Sequence, residues 1–230
     1  IQAVRAALSS GWDRLKFYFM IGLPGETDED ILGIADTVEQ VLDVGRDCMG
    51  KRAGRLRLNL SVALFIPKPH TPFQWSAQNT IEQFEHKRYL LLERLRRHRQ
   101  VQIRCHDPKS AVLEAYLARG DRSAAEVMMS AYCAGASLDA WTEQFDYERW
   151  EAAAAEHGID LHAVAARPID LEQPLPWNHI DVGVTSEYLR SELAKSEAGA
   201  LTEDCRTSIC QSCGVQKMAT SCLHGGDSRA

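Results

Sequence analysis

No apolar run in the 230 residues approaches the ~20 that a membrane-crossing helix needs, so nothing in the sequence reads as a bilayer span. A secretory leader is missing as well, and a cytoplasmic location is the default expectation. Positive charge is in short supply. Lys and Arg number 26 against 32 Asp and Glu, a formal net charge of −6, which argues against non-specific nucleic-acid binding by the chain as a whole. There is no initiating Met: Ile1 opens a helical pattern already under way at Val4, Ala7 and Leu8, so the chain is expected to be part of a longer polypeptide. What remains is ordinary for a folded globular protein, with 45% hydrophobic and 25% charged residues, and the length allows one domain or two.

The stretch from Leu15 to Thr27 is the most legible. Leu15, Phe17, Phe19 and Ile21 fall on one face and Lys16, Tyr18, Met20 and Gly22 on the other, the period-2 pattern of a strand. Gly22, Pro24 and Gly25 form a turn. Thr27 and Asp30 make a variant capping box, and Ile31, Ile34, Ala35, Val38, Val41 and Leu42 recur at helical spacing up to Gly45, the predicted stop. Glu26, beside the turn, either orders the loop or serves the N-terminus of its own helix through the dipole. Ligands of such β-α units gather at that end of the strand.

A second strand follows in residues 56–66, where every even position is a large aliphatic and Arg57, Asn59, Ser61, Ala63 and Phe65 take the odd ones. One face is expected against helices, and the small or polar face either lines a barrel lumen, which makes Lys16, Tyr18, Asn59 and Ser61 lumen candidates, or is wet. Pro67, Pro69 and Pro72 end the strand. Thr80 and Gln83 open a helix to about Arg99 with Ile81, Phe84, Leu91 and Leu95 as its core stripe. Val101, Ile103 and Cys105 alternate in a third strand that delivers His106, Asp107 and Pro108. The basic residues between Lys51 and Arg104 make either an RNA-facing surface or a solvated helix face, and the lack of interleaved aromatics favours the latter.

Two of these loops carry a resemblance. The run F-M-I-G-L-P-G-E-T-D-E-D resembles the fifth-strand loop of radical S-adenosylmethionine (SAM) enzymes, and F-I-P-K-P-H-T-P-F resembles their sixth-strand loop, in the same order and separated by a helix. The likeness is to radical SAM proteins with a B12-binding domain and uncertain substrate, and more distantly to the methylthiotransferases. The runs H-D-P-K-S, R-G-D-R, G-A-S-L-D-A-W and L-P-W-N-H-I-D-V-G-V are similar to the same family, so the resemblance covers nearly all of the chain. It implies an α/β fold in which residues 1–107 are the C-terminal part of a (β/α) partial TIM barrel. A helical region over 108–166, a Pro-rich connector and helix over 167–200, and a cysteine-rich tail over 201–230 would follow.

The resemblance also implies a cofactor. Tyr18, Met20, Gly22, Pro24, Gly25 and Glu26, with Asn59, Ser61, Phe65 and Pro67, would form one wall of a SAM pocket. A [4Fe–4S] cluster would cleave SAM to a 5′-deoxyadenosyl radical, and a B12-binding domain would bring cobalamin. Neither a C-x3-C-x2-C triad nor a Gly-rich B12-binding domain occurs in these residues. Both are expected in a missing N-terminal half, without which this part is expected to be inactive. Catalytic candidates are Lys16, on the lumen face, and the His106–Asp107 pair, which serves equally as turn and cap.

Beyond Pro108 only helices are expected, beginning near Ser110, Ala124 and Tyr147, with Trp141, Phe145 and Trp150 packing them and a further helix around Tyr188, Leu189 and Leu193. Arg119, Asp121 and Arg122 either bind an anionic group or form caps and an ion pair at a helix corner, the simpler account. Cys48, Cys105 and Cys133 are isolated thiols, whereas Cys205, Cys210 and Cys213 stand in C-x4-C-x2-C spacing, with Cys222 or His224 as a fourth ligand for Zn²⁺ or an iron–sulfur cluster. The family's run carries another cysteine after the valine, where this chain has Gln216, and a disordered reduced tail is the alternative. The rival function is a non-catalytic metal- and RNA-binding accessory module that uses this tail and the basic 87–104 segment.

Overall fold

The computed structural model describes residues 1–217, so Cys222 and His224 lie outside the described residues. The chain divides into two units, one of residues 1–66 and 78–114 and the other of residues 67–77 and 115 onward.

In the first unit the alternating and helical patterns fold as α1 (Gln2–Ser9), β1 (Arg14–Ile21), α2 (Asp28–Met49), β2 (Arg57–Leu64), α3 (Ile81–Leu95) and β3 (Val101–Cys105). The unit also holds the start of α4 (Pro108–Arg119), which ends in the second unit. Both predicted capping boxes form: Thr27 accepts the Asp30 amide at the start of α2, and Thr80 accepts that of Gln83 at the start of α3. One core gathers Leu15, Phe17, Phe19 and Ile21 of β1, the even aliphatics of β2 and the inner faces of the first three helices, with Val38, Leu60, Phe84 and Leu91 almost fully buried.

Helix α2 outruns its predicted stop. Gly45 lies within it because a Cβ there would stand 2.4 Å from Leu56 Cδ2; the residue makes a notch for a neighbour rather than an end. Gly50, with φ +52°, terminates the helix instead. Helix α3 ends at Leu95, short of Arg99.

Among the described residues no partial TIM barrel is evident, which corrects the expectation. The described strands make a single parallel sheet of order β1-β2-β3, in register Lys16–Asn59–Gln102 and Tyr18–Ser61–Arg104. Three parallel strands of 8, 8 and 5 residues form an open sheet, well short of the roughly eight tilted strands that a closed barrel needs. The small and polar residues expected in a lumen therefore lie on an open sheet face.

The second unit is helical, with α5 (Ala124–Cys133), α6 (Tyr147–Glu156), α7 (Leu161–Ala166) and α8 (Ser186–Glu197) after the end of α4. A compact apolar cluster joins Trp75, Leu175, Trp177, Leu189 and Leu193. Trp150 is buried and its indole N–H donates to Asp139 at 2.9 Å. Trp141 departs from expectation: it is 64% exposed. Trp12, in the first unit, is also exposed.

Two glycines of α2 give a test of the notch. Gly45→Val should cost about 1–3 kcal/mol in urea unfolding because Leu56 has to move. Gly33→Ala, where a Cβ would meet nothing within 4 Å, should stabilise by up to about 1 kcal/mol. Equal losses at both sites would remove the packing explanation.

Candidate functional site

The loop after β1 is fixed by one carboxylate. Glu26 Oε1 accepts the Gly22 amide at 2.7 Å and the Lys87 ammonium, also at 2.7 Å, and the two charged side chains are only 7% and 10% exposed. The sequence left Glu26 between two roles, and the geometry gives it the first: it closes the loop on itself and ties it to α3. Lys87 was missed in the sequence because it sits in a basic run. The readable signal was its position on the buried stripe of Phe84, Leu91 and Leu95, where a lone cation requires a buried partner.

Gly22 is required twice over. Its φ is +87°, and a Cβ there would stand 2.4 Å from the Phe84 ring. Close by, the side-chain carbonyl of Asn79 is a buried acceptor without a donor, 3.3 Å from the place of that missing Cβ. Gly25, at φ +79°, faces open space, and Pro24 is exposed.

From this loop the polar sheet face runs back along the strands. Tyr18 is 72% exposed, Met20 is exposed, and the Lys16 ammonium lies 4.7 Å from the centre of the Tyr18 ring. Asn59 and Ser61 stand beside them half-buried, with Gln102 and Arg104 beyond. At the opposite strand ends a cavity of about 510 Å³ is lined by Arg14, Arg57, Asn59 and Arg99. Phe65 and Pro67, expected to line a cofactor wall, are buried, and the Phe65 amide extends the ladder to Ile21 O at 2.8 Å.

The third strand end is local architecture. The Asp107 carboxylate accepts the Ser110 amide at 2.7 Å and its hydroxyl at 2.9 Å, capping α4, while the exposed His106 donates its amide to Val62 O. Burial pushes the Cys105 thiol up, against the pull of Arg88, so it is not poised as a thiolate. The basic residues of α3 are largely matched by acids: Arg94 bridges Asp36 and Glu39 of α2, and Arg88 and Arg96 pair with Glu85 and Glu93. Pairs of this kind fit a solvated helix face.

In the tail, Cys205 and Cys210 are exposed and Cys213 is half-buried, all as free thiols. The Cys213 carbonyl accepts the Thr185 amide at 2.9 Å, and Gly214 fits against Gly183 O, so this point of the tail is tied to the N-terminus of α8. Among the described residues no three His, Cys, Asp or Glu side chains converge as a metal-ligand set. The expected fourth ligand, Cys222 or His224, lies outside the described residues, and Gln216 uses its side chain to accept the Gly214 amide. Nor, among the described residues, is any helix long and apolar enough to cross a membrane.

Comparison with known proteins adds one relative. The chain is 30% identical over 124 residues to the uncharacterized protein MJ0966 of Methanocaldococcus jannaschii, a match covering 53% of this chain and 24% of that protein. No protein-family model matches the chain, and no solved structure matches it.

The buried pair is directly testable. Lys87→Ala strands the Glu26 carboxylate and should cost about 3–5 kcal/mol, whereas the double variant Glu26→Gln with Lys87→Met should recover most of the loss in urea unfolding. Equal losses in both would show that the ion pair itself, and not merely the avoidance of an unpaired buried carboxylate, stabilises the fold.

Proposed function

We propose that this chain forms the SAM- and substrate-facing part of a cytoplasmic radical SAM enzyme whose cluster ligands, and a cobalamin-binding domain, are supplied from outside these 230 residues. The observation that supports the reading best is the open face of the sheet. All-parallel sheets are ordinarily covered on both sides. Here one side carries Lys16, Tyr18, Met20, Asn59 and Ser61 in register, without belonging to the unit's apolar core.

The residues present fit the cofactor. The unsatisfied Asn79 carbonyl calls for a donor, which the exocyclic amine of an adenine provides. The Tyr18 ring offers a stacking surface, and Ser61 and Asn59 offer hydrogen bonds to hydroxyl groups. When bound, SAM and its cluster supply the radical chemistry. The chain's own part is positional: the Glu26–Lys87 pair holds the Gly22–Gly25 loop in one conformation, and Lys16 orients Tyr18 through its ring. No step is assigned to a cluster or zinc ion on the cysteine tail. The accessory-module reading is weakened because Arg88, Arg94 and Arg96 of its basic segment are already ion-paired.

Titrating the ¹⁵N-labelled chain with SAM tests this. The amides of Tyr18, Gly22, Gly25 and Ser61 should shift together, and Asn79→Ala should weaken binding about tenfold, the worth of one hydrogen bond to a buried acceptor. Saturating SAM that leaves all four signals in place would overturn the proposal. Binding of a short RNA that fades with added salt would then favour the accessory module.

A further inference from the structure

The second unit holds a buried cation without a counter-ion. Arg119, at the end of α4, is 4% exposed. Its Nη1 donates to Ala165 O and its Nη2 to Arg167 O, each at 2.6 Å. Among the described residues no carboxylate pairs with it, and its Nε–H is buried without an acceptor. One turn earlier on the same face of the helix, Tyr116 is 1% exposed and its hydroxyl is likewise buried without a partner. Burial, and then the charge of Asp121, push the Tyr116 pKa up, so the group is a hydroxyl and available as a donor. Burial and the nearby Arg167 lower the Arg119 pKa to about 10, which still leaves a full positive charge at neutral pH.

Helix capping explains only part of this. The two carbonyls at the C-terminus of α7 account for both Nη contacts, and a cation there suits the helix dipole. Neither the Arg119 Nε–H nor the Tyr116 hydroxyl is used in that way. Both residues line a cavity of about 470 Å³ together with Arg167, Ser123 and Gln173. A single water occupies only about 30 Å³ of liquid volume. Asp121 also lines the cavity, but its carboxylate is engaged by the Ser123 amide at 2.9 Å and hydroxyl at 2.6 Å, which caps the entry to α5. Two arginines against one capped carboxylate leave the cavity cationic. At Gly120 a Cβ would stand 2.9 Å from Tyr116 O, so the wall admits no side chain.

We infer that this cavity binds the oxyanion of a small molecule, a carboxylate or phosphate, through the Arg119 Nε–H and the Tyr116 hydroxyl. The body of the ligand has somewhere to go. A second cavity, of about 760 Å³, shares Gly120, Asp121, Ser123 and Pro176 with the first and adds Arg122, Trp177 and His179. These volumes are those of sites for metabolite-sized ligands. The inference rests on no part of the SAM reading, since every residue it uses belongs to the second unit.

The test titrates the intact chain with inorganic phosphate and, separately, with succinate, following the Arg119 Nε–H cross-peak and the melting temperature. At least one probe should move the cross-peak and raise Tm at concentrations on the order of 10 mM or below. Phosphate alone would indicate a phosphoryl ligand, and succinate alone a carboxylate. Tyr116→Phe should weaken the effective probe about tenfold while its own Tm stays level or rises, because an unsatisfied buried hydroxyl has been removed. Arg119→Lys should abolish the response. If neither probe moves the cross-peak, the cavity holds water only and the inference fails. It fails equally if Tyr116→Phe loses stability but keeps full affinity, since the hydroxyl would then be structural.

Discussion

The first unit depends on one buried carboxylate. Glu26 ties the loop between β1 and α2 to the middle of α3, 61 residues further along the chain. Taking an acid and a lysine out of water is expensive, and such a pair is seldom the cheapest way to hold a fold together. Its worth lies in specificity. Only one arrangement of the loop satisfies the Gly22 amide, the carboxylate and the ammonium at once. That arrangement also brings the Phe84 ring to a glycine that leaves it room.

Much of this fold was legible in the sequence because its patterns are periodic and local. The alternation of Leu15, Phe17, Phe19 and Ile21, the even-numbered aliphatics from Leu56 to Leu64 and both capping boxes fix where strands and helices lie and which face each buries. The partial barrel failed because closure is a property of strand number and curvature, which no three-strand segment encodes. Gly45 misled for a similar reason: a glycine that ends a helix and one that admits Leu56 look the same without the neighbour.

Functional residues were less legible than the loops that carry them. Glu26 was found beside its turn, but its partner Lys87 and the orphan carbonyl of Asn79 depend on where α3 meets that turn. In the second unit the sequence singled out Arg119, Asp121 and Arg122 together as either an anion site or a capped corner. The structure divides them: Asp121 caps, whereas Arg119 is left with an unused donor. No periodicity in α4 marks Tyr116 as carrying an unused hydroxyl, because aromatic residues on a buried stripe are usually satisfied by packing alone.

The tryptophans are unevenly shared between the units. Trp75, Trp150 and Trp177 are buried in the second, with Trp141 exposed there, whereas the first unit has only the exposed Trp12. Intrinsic fluorescence would therefore report almost solely on the helical unit. The parallel sheet, with the Glu26–Lys87 pair at its edge, is optically silent, and a single smooth emission curve would not prove that the two units unfold together.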